Sequence, residues 1–274
     1  MKKVYLLLVV MLILLVSAPL NAETPDVNAI IEKVKKSWDV RPVSFKTTII
    51  VKDGERVTGE MVAGAAHKRF PDGRRLLIVI LEPESMKGVS YLLNGYDTKQ
   101  SEQWMYFPYL DRVRKIDGAS NYESFLSTDF TYADLSLIDS QSEEFKYIGE
   151  GEINGIKAYK IESISKSSNY YYSKIIYWIA KDTLQILSRD YYSPNNSLWK
   201  RKLYENYTVI NGLTIPLRIR VKDLQHNTST ELNISELDAD ITLPDEIFVP
   251  TQLKYSLKCP VWQKVCYPQD VFIK

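Results

Sequence analysis

Few side chains in this sequence have the types and spacing that catalysis requires. The two histidines, His67 and His226, stand far apart among small or polar neighbours, and we expect both at surface or turn positions. Asp129 and Asp134 could form a carboxylate pair for acid–base chemistry, but a helix N-cap and a solvated helix face explain them more simply. The sequence also contains no G-x-S-x-G elbow, no H-E-x-x-H motif and no glycine-rich nucleotide loop. These observations favour a protein that is not an enzyme and has no cofactor.

The two cysteines suggest a structural bond. Cys259 and Cys266 lie seven positions apart near the C-terminus. In an oxidising compartment, the expected state is a local disulfide that closes a small ring around Pro260–Val265. A metal site would need more ligands than two thiols without a nearby histidine. The sequence therefore predicts a Cys259–Cys266 disulfide and no metal site.

The first 22 residues have the three parts of a secretory signal peptide. Lys2 and Lys3 give a charged start, residues 4–16 are almost entirely apolar, and small residues precede a cleavage point after Ala22. An uncleaved anchor helix is the alternative, but the apolar run is shorter than the roughly 20 residues that span a bilayer. We therefore expect residues 1–22 to be removed and the protein to be periplasmic.

Charge and length limit the possible partners and the number of domains. Without Lys2, Lys3 and the rest of residues 1–22, the chain has 252 residues, with 33 Lys and Arg against 34 Asp and Glu. A net charge of about −1 gives no electrostatic reason to bind nucleic acid or an anionic membrane surface. The length suffices for one large β domain or two smaller domains. With no linker or repeat visible, we expect one domain over residues 23–250 and a tail over residues 251–274.

Hydrophobic periodicity predicts one N-terminal helix followed by an antiparallel sheet. Residues 26–38 have apolar positions at helical spacing, with Asp26 as the N-cap. From Val43 onward the period changes to two, and hairpin signals such as Asn154-Gly155 separate the runs. We expect about 11 strands in one sheet. The alternating runs are 43–51, 57–66, 75–81, 89–93, 102–107, 112–116, 145–153, 156–164, 173–180, 185–192, 198–209, 215–221 and 228–237.

Two features depart from simple alternation. Residues 118–138 do not alternate between apolar and polar types. For them we predict a loop plus one short helix, long enough to lie across a sheet face. The runs 76–81 and 175–179 are apolar at every position, which implies that both faces of these strands are covered. A curved sheet with a partly filled, apolar concave face also fits, and ordinary core packing is the alternative for each strand.

One segment resembles the LolA-like family of outer-membrane lipoprotein-sorting proteins. The similar residues are Trp104–Pro108 (W-x-Y-x-P), the basic strand Arg112–Ile116 and Ser124–Leu135 (S-F-x-x-x-D-F-x-Y-x-D-L). The rest of the mature chain is compatible with this family, although the cysteine tail is not part of the pattern. The resemblance implies an α+β, mainly antiparallel fold, an unclosed half β-barrel whose concave apolar face is covered by helices.

The resemblance also implies a function in the periplasm. Members carry or sense acyl chains, sometimes alongside transporters of the RND type, and a carrier would deliver its cargo to an outer-membrane acceptor. An apolar trough suffices for this task, because each buried CH₂ group contributes roughly 0.8 kcal/mol. Residues 118–138 are the expected lid. Two alternatives stay open, namely a sensor that detects lipoproteins and signals to a partner, and a structural β domain without a ligand.

We expect the ligand-binding residues on the wall of the trough and on the lid. The face that each strand presents is not determined, because a register error of one residue reverses every side chain. Arg112, Arg114 and Lys115 could hold an anionic headgroup, although a solvated strand face explains them as well. We further expect a monomer. The wall residues are Phe45, Ile49, Val51, Met61, Leu77, Val79, Trp104 and Tyr106, and the lid residues are Phe130 and Tyr132.

Overall fold

A single antiparallel sheet is the main element of the computed structural model, which describes residues 24–37, 41–135, 143–166, 170–259 and Val261. Its strand order is β6-β5-β4-β3-β2-β1-β13-β12-β11-β10-β9-β8-β7, and within the described residues no pairing joins β6 to β7. The sheet is therefore open. The strands are β1 (Val43–Asp53), β2 (Arg56–Phe70), β3 (Gly73–Glu82), β4 (Ser90–Tyr96), β5 (Glu102–Phe107), β6 (Arg112–Ile116), β7 (Glu143–Ile153), β8 (Ile156–Ser165), β9 (Lys174–Ala180), β10 (Ile186–Tyr192), β11 (Leu198–Ile210), β12 (Leu213–Asp223) and β13 (Thr228–Asp238).

The described chain has thirteen strands instead of the expected eleven, because each alternating run forms a strand of its own. Tight hairpins join most neighbours. Asn154 and Gly155 have φ values of 51° and 82°, and Asn211 and Gly212 have 50° and 82°. Positive φ at both central residues is what a two-residue hairpin turn with the twist of its strands requires. The Asn-Gly signals therefore mark these turns correctly.

The two halves of the chain form two meanders that join through the pairing of β1 with β13. The first meander runs from β1 to β6, and the second runs from β7 to β13. Because β6 and β7 lie at opposite edges of the sheet, the connection between them has to pass from one edge to the other. The lid candidate is part of this connection. We use "lid segment" below for residues 118–135, the described part of that candidate.

Two α-helices lie against one face of the sheet, which we call the inner face. Helix α1 (Val27–Ser37) begins at Asp26, whose Oδ1 accepts a hydrogen bond from the Ala29 amide at 3.1 Å, as an N-cap does. Its buried residues Ile30, Ile31 and Val34 pack on the β8–β11 part of the sheet. The short helix α2 (Tyr132–Leu135) lies at the end of the lid segment, which begins with a 3-10 segment, Gly118–Tyr122.

The N-cap of α2 is Thr131, so the assignment of this role to Asp129 is wrong. The Thr131 hydroxyl accepts a hydrogen bond from the Asp134 amide at 3.2 Å. In return, the Thr131 amide donates to Asp134 Oδ2 at 2.9 Å. Such a reciprocal pair is a capping box, here with aspartate in the place of the usual glutamate. It fixes the Asp134 carboxylate at the start of the helix.

The opposite, outer face of β2–β5 is covered by the C-terminal part of the chain. Two 3-10 segments, Asp245–Phe248 and Pro250–Lys258, place Phe248 and Leu253 against this face. The described residues after Pro250, up to Cys259 and Val261, therefore belong to the same core as the sheet. This cover also explains the run 76–81, whose two faces are both buried. No helix of the described chain is long and apolar enough to cross a membrane.

Two expectations about the chain ends fall wholly or partly on residues outside the described ranges. Cys259 is buried in the cluster on the outer face, together with Val261, and burial raises the pKa of its thiol. Cys266 lies outside the described residues, so the Cys259–Cys266 disulfide stays a prediction. Residues 1–22, the expected signal peptide, also lie outside them.

Candidate functional site

An apolar cavity of about 180 Å³ lies between the inner face of the sheet, α1 and the lid segment. Val34 of α1 and Phe125, Phe130 and Leu135 of the lid segment cover it. Its polar lining residues are Lys35, Thr47, Arg74, Thr128, Asp134, Arg189 and Lys202. The apolar and aromatic residues that the sheet contributes are Phe45, Ile49, Ala65, Leu76, Ile78, Ile186, Tyr204, Ile219, Leu232 and Ile234.

The cavity exists because the sheet curves around it. Seven neighbouring strands, from β3 through β1 and β13 to β10, contribute lining residues. At about 4.8 Å between strands, a flat sheet would place the first and the last of them about 29 Å apart. A cavity of this size can contact all seven only if its wall bends, so the inner face is concave.

The structure places three of the ten expected site residues in the cavity lining. Phe45 and Ile49 lie on β1, and Phe130 lies in the lid segment above them. Met61 and Tyr132 are also on the inner side, but they pack in the core between the sheet and the lid segment and are not part of the cavity lining. Val51 is half-buried farther along β1 and lies outside the lining.

Four expected wall residues lie on the outer face, so their assignment to the cavity wall needs correction. Leu77 and Val79 of β3 pack against the C-terminal cover, as do Trp104 and Tyr106 of β5. Both faces of β3 are apolar, so its alternation carries no sign of which face is concave. On β5 the large rings suggested the wall, whereas the residue that faces inward is Met105, which is fully buried.

The lining residues that were not predicted from the sequence include both apolar and charged side chains. Leu76 and Ile78 are the inward neighbours of residues that were assigned to the wrong face. Ile219 belongs to the alternation of β12, which was recognised as a strand but not as wall. The charged residues Arg189 and Lys202 had no apolar signal at all. On β11 residues 200, 202 and 204 share one buried face, but two of them are lysines, so the sequence does not mark that face as inward.

Hydrogen bonds and ring contacts attach the lid segment to the sheet. The Asp129 carboxylate accepts hydrogen bonds from the hydroxyls of Thr228 and Thr230 on β13, the latter at 2.7 Å. The Asp129 amide donates to the Thr230 hydroxyl at 2.9 Å. At the other end of the segment, Phe125 packs edge-on against Tyr91 of β4, with ring centroids 5.4 Å apart. The segment thus bridges both meanders.

A buried ion pair holds the helical end of the lid segment. Asp134 Oδ2 and Lys200 Nζ are 2.6 Å apart, and the two residues are 5% and 2% exposed. The Tyr172 hydroxyl donates to the other carboxylate oxygen at 2.8 Å. Burial alone would raise the pKa of Asp134, but the Lys200 charge and hydrogen bond outweigh it and lower that pKa. Asp134 is therefore ionised and internal, and its assignment to a solvated helix face is wrong.

The other candidates for chemistry have structural explanations. His226 is exposed in the turn after β12, with Nδ1 3.0 Å from Asp223 Oδ2, as expected. His67 is half-buried within β2, contrary to expectation, and burial together with Arg74 and Arg69 lowers its pKa to about 4. Within the described ranges, no cluster of three or more His, Cys, Asp or Glu residues could hold a metal ion.

The basic residues of β6 lie on an exposed edge strand. Arg112, Arg114 and Lys115 are exposed. Arg114 donates to the Ser120 hydroxyl at 2.9 Å, and Lys115 pairs with Glu102 at 3.0 Å. These contacts are those of a solvated strand face, and they lie away from the cavity lining.

An open, curved antiparallel sheet with helices over its concave face defines a LolA-like half-barrel, and solved structures share this fold. A domain of the outer-membrane lipoprotein-sorting type from Vibrio parahaemolyticus has a TM-score of 0.78 at 23% identity, covering 82% of this chain and 97% of that one. A DUF1329 family protein from Desulfovibrio piger has a TM-score of 0.77 at 25% identity, with coverages of 84% and 100%. A LolA superfamily protein from Nitrosomonas europaea has 0.63 at 20% identity, with coverages of 81% and 96%.

The family comparison agrees with this fold. A family model described as "-like: Uncharacterized protein" matches residues 72–255, more than half of the chain, and the chain belongs to that family. No curated protein matches the sequence. The resemblance to LolA-like proteins, predicted from the segment between Trp104 and Leu135, is confirmed by the shared fold.

Proposed function

We propose that this protein is a periplasmic carrier that binds an acyl chain of a lipid or lipoprotein in the cavity beneath the lid segment. In this role it takes its cargo from an inner-membrane system, such as an RND-type transporter, and releases it to an outer-membrane acceptor. The names of the structural relatives support the class of cargo, since one is of the lipoprotein-sorting type and another belongs to the LolA superfamily.

The observation that carries the proposal is the apolar cavity itself. Its wall is built from aliphatic and aromatic side chains of seven strands, although a sheet of this size could fill its concave face with packed side chains. Burial of an acyl chain there contributes about 0.8 kcal/mol for each CH₂ group, so ten groups give about 8 kcal/mol. Binding of this kind needs no catalytic residue.

The size of the cavity assigns a role to the lid segment. An apolar cavity of about 150 Å³ in another protein holds one benzene molecule. The volume of about 180 Å³ therefore accommodates a short part of an acyl chain while the lid segment is in place. We propose that this segment moves away during loading, which requires Asp134 to leave Lys200 and Asp129 to leave Thr228 and Thr230.

Native mass spectrometry of the protein purified from its own periplasm tests the proposal. We expect a co-purifying acylated species whose mass is lost when the protein is unfolded. In a second experiment, long-chain lipids, both neutral and acidic, should displace a fluorescent fatty acid from the purified chain with saturation. An empty protein, together with no displacement by any of these lipids, would exclude the carrier function.

A further inference from the structure

Two cations face each other directly on the concave side of the sheet. Arg189 of β10 and Lys202 of β11 are partners in the strand register, and both line the cavity. They are 8% and 7% exposed. Like charges at directly opposite positions of an antiparallel pair destabilise it. On a wall with twice as many apolar as polar residues, this arrangement needs a reason.

No carboxylate of the described residues compensates the charge of Arg189. The rings of Tyr177 and Tyr204 lie 5.0 and 5.7 Å from its guanidinium carbon, but within the described residues no carboxylate is at ion-pair distance. Its buried Nε also has no hydrogen-bond acceptor there. A guanidinium does not lose its proton in a protein, so it cannot escape the cost of burial by becoming neutral.

The carboxyl group of Asp134, next to Lys202, is already occupied. Asp134 pairs with Lys200 at 2.6 Å, and Lys202 Nζ instead reaches the main-chain oxygen of Asp134 at 3.3 Å. Lys200 and Lys202 thus share one carboxylate, and Arg189 beside them has no carboxylate partner among the described residues. The cavity end formed by β10 and β11 therefore has an excess of positive charge when Lys202 is protonated.

We infer that the cavity accepts an acidic amphiphile, whose single anionic group bridges Arg189 and Lys202 while its acyl chain lies along the apolar wall. This inference rests on the proposed carrier function and narrows its cargo. The carboxylate of a fatty acid and the phosphate of a phospholipid share the required chemistry. An acyl chain linked only through ester or amide bonds is neutral at that end, and it would leave both cations uncompensated.

The chemistry of the two side chains matches such a ligand. The guanidinium offers N–H donors in a fixed fork that suits a carboxylate or a phosphate. Burial, with Arg189 as the next cause, lowers the pKa of Lys202 to about 7, so a bound anion would draw a proton onto this amine and strengthen its own binding. A purely structural explanation assigns both cations to their aromatic neighbours, and it predicts no preference for an acid.

Three ligands with the same kind of chain separate these possibilities. Palmitate carries a carboxylate, palmitoyl lysophosphatidylglycerol carries a phosphate, and 1-hexadecanol is neutral. Each is titrated against the full mature chain at pH 7, with a fluorescent fatty acid as the displaced probe. We expect one or both acidic ligands to bind about ten- to a hundredfold more tightly than hexadecanol, as a charge-assisted hydrogen bond in a buried site gives. The tighter of the two acids identifies the source of the anion.

Substitutions then locate the anion. Arg189→Gln and Lys202→Gln should each weaken the preferred acid about tenfold or more and leave the affinity for hexadecanol within about twofold. Lys222→Gln is the matched control, because Lys222 is an exposed lysine on the neighbouring strand β12, and it should change neither affinity. If circular dichroism shows that a substituted chain does not fold, the affinities of the unaltered protein for the three ligands still show whether the cavity prefers an acid.

The outcomes separate this inference from the carrier function. Equal affinities for hexadecanol and both acids would overturn the anion site while the carrier function stood. An acid preference that survives both cavity substitutions would also overturn it. Failure of all three ligands to bind would reject the carrier function, and the anion site with it.

Discussion

Lys202 has a buried amine with both aromatic and charged neighbours. Its Nζ lies near the main-chain oxygen of Asp134 and above the rings of Phe130 and Tyr204, at 4.9 and 5.4 Å from their centroids. Burial lowers its pKa from 10.5 to about 7, the positive charges of Arg189 and Lys200 add to this effect, and Asp134 opposes it. The amine is therefore more acidic in the folded protein than in the unfolded chain, so it makes stability depend on pH.

Lys202→Met should stabilise the ligand-free protein at pH 7 and below, and this gain should shrink as the pH rises toward 10.5. Between these values the unfolded chain binds more protons than the folded one, so the cost of burying Lys202 falls as the pH rises. Each unit by which the pKa is lowered corresponds to about 1.4 kcal/mol, which sets the upper limit of the gain. Urea unfolding of both proteins at pH 6, 8 and 10 measures it, and a gain independent of pH would contradict the role of the charge.

The Asp134–Lys200 pair is the complementary case, since each charge compensates the other. Lys200→Met should lower the free energy of unfolding at pH 7 by about 3–5 kcal/mol, because it leaves a buried carboxylate without its cation. Asp134→Asn in the same chain should restore much of this loss, because asparagine keeps a side-chain oxygen for Tyr172 without the charge. A double-mutant cycle by urea unfolding gives the coupling energy. Glu150→Gln with Lys181→Met, an exposed pair, is the control and should show no measurable coupling.

At the scale of elements, the lid segment connects the two meanders as well as covering the cavity. One end packs by Phe125 on Tyr91 of β4, and the other end is bound to β11 and β13 by Lys200, Thr228 and Thr230. The Thr131–Asp134 capping box ties helix formation in this segment to the ion pair, because the same carboxylate serves both. Release of the segment therefore breaks several bonds together, which favours two discrete positions over gradual opening.

A disulfide between the lid segment and β13 should stop ligand exchange. Asp129 and Thr230 are in hydrogen-bond contact, so Asp129→Cys with Thr230→Cys places two thiols close together. We expect the oxidised variant to load and release a fluorescent fatty acid at least tenfold more slowly than the same variant after reduction. The rates are followed by stopped-flow fluorescence. Thr230→Cys alone, treated in the same way, is the control, and equal rates in the oxidised and reduced double variant would show that this segment is not a lid.

At the scale of the molecule, the two faces of the sheet have separate tasks. The concave face holds the cavity and its cations, and the outer face of β2–β5 is closed by the C-terminal residues around Phe248 and Leu253. A second strand, β9, is also apolar on both faces. Tyr177 packs toward α1, and Trp178 packs on the other face with Leu187. The inner face of β9 is therefore covered by α1, and its outer face packs with side chains of neighbouring strands.

Features that depend on neighbouring residues could be predicted from the sequence, whereas features that depend on distant segments could not. Strand periodicity, Asn-Gly turns and helix caps depend on neighbouring residues, so the strands could be predicted from the sequence. The same holds for the hairpin turn at Asn154 and for the capped start of α1 at Asp26. The inward face of β3 and β5 depends on which distant segment covers each side, and Leu77 and Trp104 carry no local sign of it. Asp134 meets Lys200 and Lys202 across 66 and 68 positions of sequence, so the burial of these residues could not be predicted from their neighbours in the chain.

The division between the faces can be tested with one substitution on each side. Ile78→Trp enlarges a side chain that lines the cavity, so it should reduce fatty-acid affinity at least tenfold with a modest change in stability. Leu253→Ala removes a fully buried side chain from the outer cover, so it should cost about 2–5 kcal/mol of unfolding free energy while the affinity of the folded protein stays within about twofold. Fluorescent fatty-acid titration and urea unfolding on both variants supply the two readouts. Loss of affinity in Leu253→Ala at full folding, or unchanged affinity in Ile78→Trp, would place the binding surface on the other side of the sheet.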